Sequence, residues 1–221
     1  MKTYATVRGE GMIYKLLETI RCRKTVRLLD TTISSRYFCA CLGGNVSKER
    51  KLSNGLPQSS VLAPVFNLYT SDLSNTKSTK LCYTDDIALV CRITDLRQAE
   101  TIITEDLAVV NSYFKRWRLR PSTSKTEVYT FHLNSNQANS ELRVQLNGNT
   151  CCHNEWPKYL GVILDCILSY KTHLENSAVK IKTRNTIIQK LRGATREALA
   201  DIVRIPFIAL VFSTREYCAP L

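Results

Sequence analysis

An apolar run from Leu81 to Cys91 is interrupted only by Thr84, Asp85 and Asp86. Apolar residues on both sides of a short polar break predict two strands joined by a turn. Such a hairpin places the two adjacent aspartates near its tip. Two carboxylates about 4 Å apart repel each other by roughly 4 kcal/mol at an effective dielectric of about 20, so a cation is expected to offset them.

A hard divalent cation is the natural partner of such a pair. Mg²⁺ takes oxygen ligands and is commonly held by one or two carboxylates together with substrate phosphates. Paired ions of this kind stabilise the attacking and leaving oxygens of nucleotidyl transfer. Asp is also a common turn former. A solvated Asp-Asp turn therefore explains residues 83–86 equally well.

The charge of the chain favours a polyanionic partner. Lys and Arg total 31 against 19 Asp and Glu, a formal net charge of +12 over 221 residues. This balance favours nucleic acid first and an anionic membrane surface second, although a solvated basic surface would have the same composition. The hydrophobic fraction of 44% and the charged fraction of 23% exclude wholesale disorder.

The nine cysteines form no C-x-x-C pairs, so the sequence does not predict a zinc site. Cys82 and Cys91 lie in apolar runs, which is typical of free thiols in a reducing compartment. No apolar leader segment or membrane span is present in the sequence. We therefore expect an intracellular protein of the cytoplasm or nucleus, without a membrane partner.

Hydrophobic periodicity predicts a mixed α/β chain. The first half contains predicted helices at 11–29, 61–73 and 95–117 and a strand at 36–42. The first of these helices is expected to have a basic outer face. Pro64 must lie in the first turn of the second helix or bend it, and Asp95 is a candidate N-cap of the third.

The second half changes to alternation with period two. It contains predicted strands at 129–133, 142–146 and 159–164. Asn147-Gly148 after the second of these strands is a strong hairpin signal. From Ser169 onward the pattern is helical, with one apolar face and many lysines and arginines on the others.

Four boxes in this sequence resemble those of reverse transcriptases. Residues 83–86, Tyr-Thr-Asp-Asp, resemble the Tyr-x-Asp-Asp box, and residues 54–64 resemble the Gly-x-Pro-Gln-Gly-Ser box that lines the nucleotide and template site. Residues 124–127 resemble the Lys-Thr box, and residues 158–165 are similar to the Tyr-Leu-Gly-Val strand of the primer grip. The order and spacing of these four boxes resemble those in the reverse transcriptases of jockey-like non-LTR retrotransposons, and the resemblance extends over essentially the whole chain.

The resemblance implies an α+β fold of the right-hand polymerase type. Residues 1–166 would form a partial palm, in which helices pack on an antiparallel sheet. Residues 167–221 would form a helical thumb or connection region, whose basic helices track a primer–template duplex through its phosphates. A solubilising face packed on the palm is the alternative interpretation of those helices.

The resemblance also implies roles for individual residues. Asp85 and Asp86 would ligate the catalytic Mg²⁺ or Mn²⁺ ions. Lys125 would lie near the phosphates of the incoming nucleotide and protonate the leaving pyrophosphate, unless it is a plain surface lysine. The implied substrate-binding residues are Tyr4, Pro57, Gln58, Ser60 and Tyr83, and the implied primer grip is Tyr159, Leu160 and Gly161. For Tyr4 a plain core aromatic is the alternative.

The sequence departs from the family pattern in its metal site. Thr3-Tyr4-Ala5 occupies the position of an Ala-Phe-Asp triplet, so the further metal-binding Asp of the family would precede Met1. Ser59 also replaces a Gly of the Pro-Gln-Gly box, where close backbone approach favours a residue without a β-carbon.

The expected function is therefore RNA-directed DNA polymerase chemistry by descent. Its partners would be an RNA template, a DNA primer and a dNTP. We expect metal binding weakened by the missing third carboxylate and a chain that is inactive by itself. A non-catalytic nucleic-acid-binding remnant and a non-functional fragment of a degenerate element are the alternatives.

Overall fold

A computed structural model of the chain describes residues 6–56, 64–133, 138, 140–194 and 200–217. Four predicted substrate-binding residues lie outside the described residues, namely Tyr4, Pro57, Gln58 and Ser60. The fold is mixed α+β with small antiparallel sheets, as expected. The chain divides into two compact units, Met1–Thr126 with Arg143–Cys152 and Glu127–Leu142 with His153–Leu221. The division into a palm and a thumb stays a prediction.

The elements are numbered in chain order. The helices are α1 Gly9–Thr19, α2 Arg23–Ser34, α3 Val65–Thr70, α4 Leu96–Arg116, α5 Lys171–Ala194, α6 Ala200–Phe207 and α7 Ser213–Glu216, with a 3₁₀ turn at Thr123–Lys125 and a π-helical turn at Ile208–Phe212. The strands are β1 Arg36–Phe38, β2 Cys41–Leu42, β3 Asn45–Val46, β4 Arg50–Leu52, β5 Thr79–Tyr83, β6 Asp86–Val90, β7 Glu127–Val128, β8 Gln145–Leu146, β9 Asn149–Thr150, β10 Cys152–His153, β11 Lys158–Tyr159 and β12 Val162–Ile163.

The N-terminal helical segment is two helices, so the prediction of one helix over 11–29 is wrong. Helix α1 ends before Ile20, whose backbone is extended, and Cys22 is extended before α2 begins. The sequence contains a reason for the break. Ile20 and Val26 are six residues apart, which places them about 120° apart around an α-helix, wider than an apolar stripe of about 100°.

The core of the first unit is formed mainly by α1, α2 and α3. Its buried residues are Val7, Met12, Leu16, Val26, Ile33, Leu56, Phe66, Tyr69 and Leu119. Burying a large side chain such as Phe66 contributes about 1.5–3 kcal/mol. Pro64 lies at the N-cap of α3 with φ −60°, where it costs no helical hydrogen bond.

Two predicted elements of the first unit are confirmed. Helix α4 begins after Asp95, whose carboxylate accepts a hydrogen bond from the Arg97 amide at 2.9 Å. The hairpin of β8 and β9 turns at Asn147 and Gly148, with φ +55° and +78°. Both signals are local, because a cap and a two-residue turn depend on neighbouring residues.

The second unit contains a hairpin where one strand was predicted at 159–164. Strands β11 and β12 pair with each other, and the chain reverses at Leu160 and Gly161 with φ +47° and +86°. The strand predicted at 129–133 is also wrong, since regular strand ends at Val128. The His132 amide instead donates to the Cys166 carbonyl at 2.9 Å.

Helix α5 confirms the helical pattern after Ser169. Asp165, which is buried, accepts hydrogen bonds from the Ser169 amide at 2.7 Å and hydroxyl at 2.8 Å just before the helix. Burial by itself would raise the pKa of Asp165, but these hydrogen bonds hold it below its usual value.

None of the helices within the described ranges is long and apolar enough to cross a membrane.

Candidate active site

The two predicted metal ligands lie at the tip of the β5–β6 hairpin. These strands pair from Thr79 opposite Val90 to Tyr83 opposite Asp86. Thr84 and Asp85 form the turn, so Asp85 occupies the turn and Asp86 begins the returning strand. The hairpin predicted from the apolar run is confirmed.

Both carboxylates of the pair are exposed. The Thr84 hydroxyl donates to Asp85 Oδ1 at 3.2 Å, and within the described residues no other hydrogen bond or ion pair engages either carboxylate. The next residue, Ile87, packs toward the small cluster of Leu73, Val110 and Tyr113. Because strand side chains alternate between faces, Asp86 lies on the face opposite to that packing. Its oxygens are therefore available to a ligand.

The hairpin tip contains an unusual backbone conformation. Thr84 has φ +52°, in the left-handed region that β-branched residues rarely adopt. Backbone strain of this kind costs about 1–3 kcal/mol and clusters at functional sites. The strained residue directly precedes Asp85 in the turn.

The start of the hairpin is held by a buried carboxylate on α4. Asp106, which is 2% exposed, accepts hydrogen bonds from the Lys77 amide at 2.9 Å and from the Ser78 amide at 2.7 Å and hydroxyl at 2.5 Å. Burial by itself would raise the pKa of Asp106, but the three hydrogen bonds hold it below its usual value. The Lys80 ammonium adds a hydrogen bond to the Leu73 carbonyl at 2.6 Å. These contacts attach β5 to the packed part of the unit.

A buried lysine joins α1 to α4. It is an exception to the basic outer face expected of residues 11–29, since Arg21, Arg23, Lys24 and Arg27 are exposed. Lys15 is 3% exposed, and its ammonium donates to the Tyr69 carbonyl at 2.5 Å, to the Asp72 carboxylate and to the Tyr113 hydroxyl. It also lies 4.1 Å from the centre of the Trp117 ring, a cation–π contact. The spacing of Lys15 from Met12 and Leu16 placed it on the buried face, which is the signal that could have identified it.

The pKa values of Lys15 and Asp72 are both lowered, for different reasons. Burial lowers the pKa of Lys15, and the hydrogen bond to Asp72 offsets only part of that effect. The Asp72 side chain is 55% exposed, so its desolvation is outweighed by the hydrogen bonds from Lys15 and Tyr113, which lower its pKa.

Lys125 ends the 3₁₀ turn of the first unit and is exposed. Its amide donates to the Ser122 carbonyl at 3.1 Å. It belongs to the same compact unit as Asp85 and Asp86. Among the described contacts, none joins the Lys125 side chain to either carboxylate, so this structure does not bring the three groups into direct contact.

The predicted primer-grip residues belong to the second unit. Tyr159 ends β11, and Leu160 and Gly161 form the turn that follows. The Tyr217 hydroxyl donates to the Leu160 carbonyl, and a β-carbon at Gly161 would lie 3.3 Å from the Tyr217 hydroxyl oxygen. The Ile163 amide donates to His173 Nδ1 at 3.3 Å, which attaches the hairpin to α5. Tyr217 and His173 were not predicted as parts of this site.

Residues 2–164 match the family model described as reverse transcriptase (RNA-dependent DNA polymerase). The chain belongs to the reverse transcriptase family. The match covers the acidic hairpin, the Lys125 turn and the β11–β12 hairpin. Reverse transcriptases in general use divalent metal ions and act on nucleic acid and dNTPs.

The reverse transcriptase domain is similar to polymerases of mobile elements. It is 26% identical over 201 residues to the RNA-directed DNA polymerase from mobile element jockey of Drosophila funebris, covering 86% of this chain and 22% of that protein. It is 27% identical over 184 residues to the protein of the same name from Drosophila melanogaster, covering 79% of this chain and 20% of that protein.

A third relative is the probable RNA-directed DNA polymerase from transposon BS of Drosophila melanogaster. It is 27% identical over 175 residues, which cover 75% of this chain and 19% of that protein. The chain thus spans about a fifth of the length of these curated relatives. The predicted reverse transcriptase domain of a non-LTR retrotransposon is confirmed.

The acidic pair of this reverse transcriptase domain fits a hard divalent cation in its ligand chemistry. It offers exposed carboxylate oxygens, and Mg²⁺ held by one or two carboxylates retains waters and accepts further oxygens from phosphates. Within the described parts of the chain, no group of three or more His, Cys, Asp or Glu side chains lies close enough together to hold a metal ion. The described residues therefore provide a partial ligand set.

Proposed function

We propose that this domain contributes two metal ligands, Asp85 and Asp86, to RNA-directed DNA synthesis. The single observation that carries the proposal is their placement, adjacent and exposed, at the tip of a β-hairpin in a chain of this family. A bound Mg²⁺ or Mn²⁺ would stabilise the charge on the attacking and leaving oxygens. The substrates are an RNA template, a DNA primer and a dNTP.

Other residues bind and orient these substrates. Tyr83 lies opposite Asp86 on the same face of the hairpin and is 61% exposed, so it is available to contact the substrate. Lys125, also exposed, provides a cation for the nucleotide phosphates and a proton for the pyrophosphate oxygen. The remaining substrate-binding residues of the proposal are Tyr4, Pro57, Gln58 and Ser60.

The second unit is proposed to bind the nucleic acid. Tyr159, Leu160 and Gly161 form the primer grip, and the cations on α5 contact duplex phosphates. The exposed lysines of α5 are Lys171, Lys180, Lys182 and Lys190. Contacts of this kind give an affinity that depends on salt and little on base sequence.

The metal site is tested directly by Mn²⁺ binding, measured from the electron paramagnetic resonance signal of free Mn²⁺. We expect weak binding by the chain and at least a tenfold loss of affinity in Asp85→Asn and in Asp86→Asn, because each change removes one anionic ligand. Glu175→Gln removes an exposed carboxylate from α5 and is the matched control. Unchanged Mn²⁺ binding in both aspartate variants would refute the site.

Primer extension separates the polymerase from a non-catalytic nucleic-acid-binding remnant. The remnant is favoured by one observation, that the described residues supply only a partial set of metal ligands. Incorporation of dNTPs on an RNA template that is lost in Asp85→Asn supports the polymerase. Binding of primer–template without incorporation supports the remnant.

A further inference from the structure

We infer that the β1–β4 ribbon, residues 36–52, is a binding surface for single-stranded nucleic acid. The ribbon is built from residues other than the acidic hairpin, and its binding does not require a metal ion. The inference goes beyond the metal site, and it extends the template binding of the proposed function, on which it rests, because residues 54–56 of the predicted nucleotide and template box line the adjoining groove. Four observations carry it, namely exposed aromatic side chains, their pairing with cations, a net positive charge and an adjoining groove.

The ribbon exposes two adjacent aromatic side chains. Tyr37 is 59% exposed and Phe38 is 46% exposed, and every residue from 38 to 51 is exposed. Aromatic residues in strands usually contribute to a core, so an exposed ring on each face of the ribbon is a candidate contact. Their flat faces are available to stack against other planar groups.

Each ring lies directly across the ribbon from a cation. Tyr37 pairs with Lys51, and Phe38 pairs with Arg50. Residues directly opposite in an antiparallel pair share a face, so both faces of the ribbon combine an aromatic ring with a positive charge. Among the described residues, no hydrogen bond or ion pair engages the side chain of Arg50 or Lys51.

The ribbon as a whole is basic. Its 17 residues, 36–52, contain Arg36, Lys48, Arg50 and Lys51 against a single acidic residue, Glu49, so four positive charges and one negative charge leave +3. This excess favours an anionic ligand. Combined with exposed rings, it favours an anion that also carries planar groups.

An open groove of about 570 Å³ adjoins the ribbon. Its lining includes Arg36, Tyr37, Leu52 and Asn54. The Arg36 guanidinium is held in place, because Nε donates to the Ile33 carbonyl at 2.9 Å and Nη2 donates to the Gly55 carbonyl. The lining of the groove therefore includes both a fixed cation and the Tyr37 side chain.

Single-stranded nucleic acid matches these features better than a duplex does. Proteins that bind single strands combine cations along the backbone with aromatic side chains on which bases stack. In a duplex the bases are already stacked on each other, so only phosphate contacts would remain. RNA and DNA single strands share the chemistry that the ribbon recognises.

The test uses the 221-residue chain and fluorescence anisotropy with 12-nucleotide RNA, 12-nucleotide DNA and a 12-base-pair duplex. The measurements are made in EDTA, so their outcome is independent of metal binding at Asp85 and Asp86. Tyr37→Leu/Phe38→Leu removes the stacking rings, and Arg50→Gln/Lys51→Gln removes the cations. The controls are Trp156→Leu, which removes a ring that is 51% exposed, and Arg23→Gln/Lys24→Gln, which removes two exposed cations from α2.

The aromatic double variant is expected to bind both single strands at least about 10-fold more weakly, because each stacked base contributes roughly 1–3 kcal/mol. Its plot of log affinity against log salt should keep the slope of the unmodified chain. In the cation double variant that slope should become shallower by about 1.4, or about 0.7 for each phosphate that is no longer neutralised. Each control is expected to stay within about twofold of the unmodified chain.

Photocrosslinking identifies which part of the chain contacts the single strand. A single strand containing 5-bromouracil should crosslink to a peptide that includes Tyr37 or Phe38. Equal binding by the aromatic variant and by Trp156→Leu, or crosslinks confined to other peptides, would overturn the inference. Binding of anionic lipid vesicles that depends on the ribbon, without binding of either single strand, would overturn it too and indicate a membrane ligand.

Discussion

Asp106 shows how one residue can position a site without belonging to it. Its carboxylate accepts three hydrogen bonds from Lys77 and Ser78, immediately before β5, while Asp85 and Asp86 lie at the far end of the same hairpin. Hydrogen bonds to a charged acceptor contribute about 1.5–3 kcal/mol each before the cost of burial. The arrangement therefore stabilises the attachment of the hairpin to α4.

Asp106→Asn is expected to destabilise the chain by about 2–3 kcal/mol, because the Asn amide retains one acceptor oxygen where the carboxylate had two. The pH dependence should change as well. The folded pKa of Asp106 lies below its usual value of 3.8, so its stabilisation is complete above that value and is lost as the pH falls through the lower folded pKa. Urea denaturation between pH 2 and 7 measures both effects.

The control for this prediction is Asp30→Asn, which changes a partly exposed, hydrogen-bonded carboxylate on α2. Its effect is expected to stay within about 0.5 kcal/mol. An acid-induced loss of stability of the same size in Asp106→Asn and in the unmodified chain would contradict the role assigned to Asp106.

Thr84 is expected to carry conformational strain at the hairpin tip, since its φ is +52°. Thr84→Gly should raise stability relative to Thr84→Ala by about 1 kcal/mol, because glycine adopts this conformation freely and alanine does not. Comparing the two variants by thermal denaturation removes the contribution of the Thr84 hydroxyl. An alanine variant as stable as the glycine variant would show that the position is unstrained.

At the scale of elements, two-residue turns determine where strands reverse. The turn at Gly148 was predicted from Asn-Gly, whereas the turn at Gly161 follows Leu160, which has no such preference and still adopts φ +47°. The second turn is held from outside by Tyr217 through a hydrogen bond to Leu160. Local turn chemistry explains the first hairpin, and a tertiary contact explains the second.

The two glycines form a matched pair for a test. A β-carbon would find no atom within 4 Å at Gly148, whereas at Gly161 it would meet Tyr217 at 3.3 Å. Gly148→Ala should therefore cost only the left-handed backbone penalty, about 1–2 kcal/mol, and Gly161→Ala should cost more. Chemical denaturation of both variants is the measurement, and equal costs would show that Tyr217 does not pack against the turn.

At the scale of the whole molecule, we expect the net charge of +12 to attract nucleic acid, the proposed partner, over long distances. We expect the affinity for an RNA–DNA duplex to fall roughly tenfold or more between about 50 and 200 mM salt, since phosphate neutralisation releases counterions. Base sequence should have little effect on that affinity. Anisotropy with two duplexes of unrelated sequence, titrated across the salt range, tests both statements, and an affinity insensitive to salt would contradict them.

Local patterns in the chain were enough to predict several features. The acidic hairpin, helix α4 with its Asp95 cap, the Asn147-Gly148 turn and membership of the reverse transcriptase family all followed from residues close together in sequence. Backbone preferences, caps and apolar alternation act over a few residues, so they can be identified without coordinates.

Tertiary packing decided the rest. Lys15 is buried because Asp72, Tyr113 and Trp117 surround it, and its ion pair with Asp72 joins residues 57 positions apart. Asp106 attaches to Ser78 across 28 positions. No short-range preference encodes such pairs, because a cation or carboxylate is buried only where distant segments supply partners that offset its desolvation. The sequence by itself therefore determined the family and the acidic tip, and only the folded chain determined which buried charges attach the start of that hairpin and join the helices packed near it.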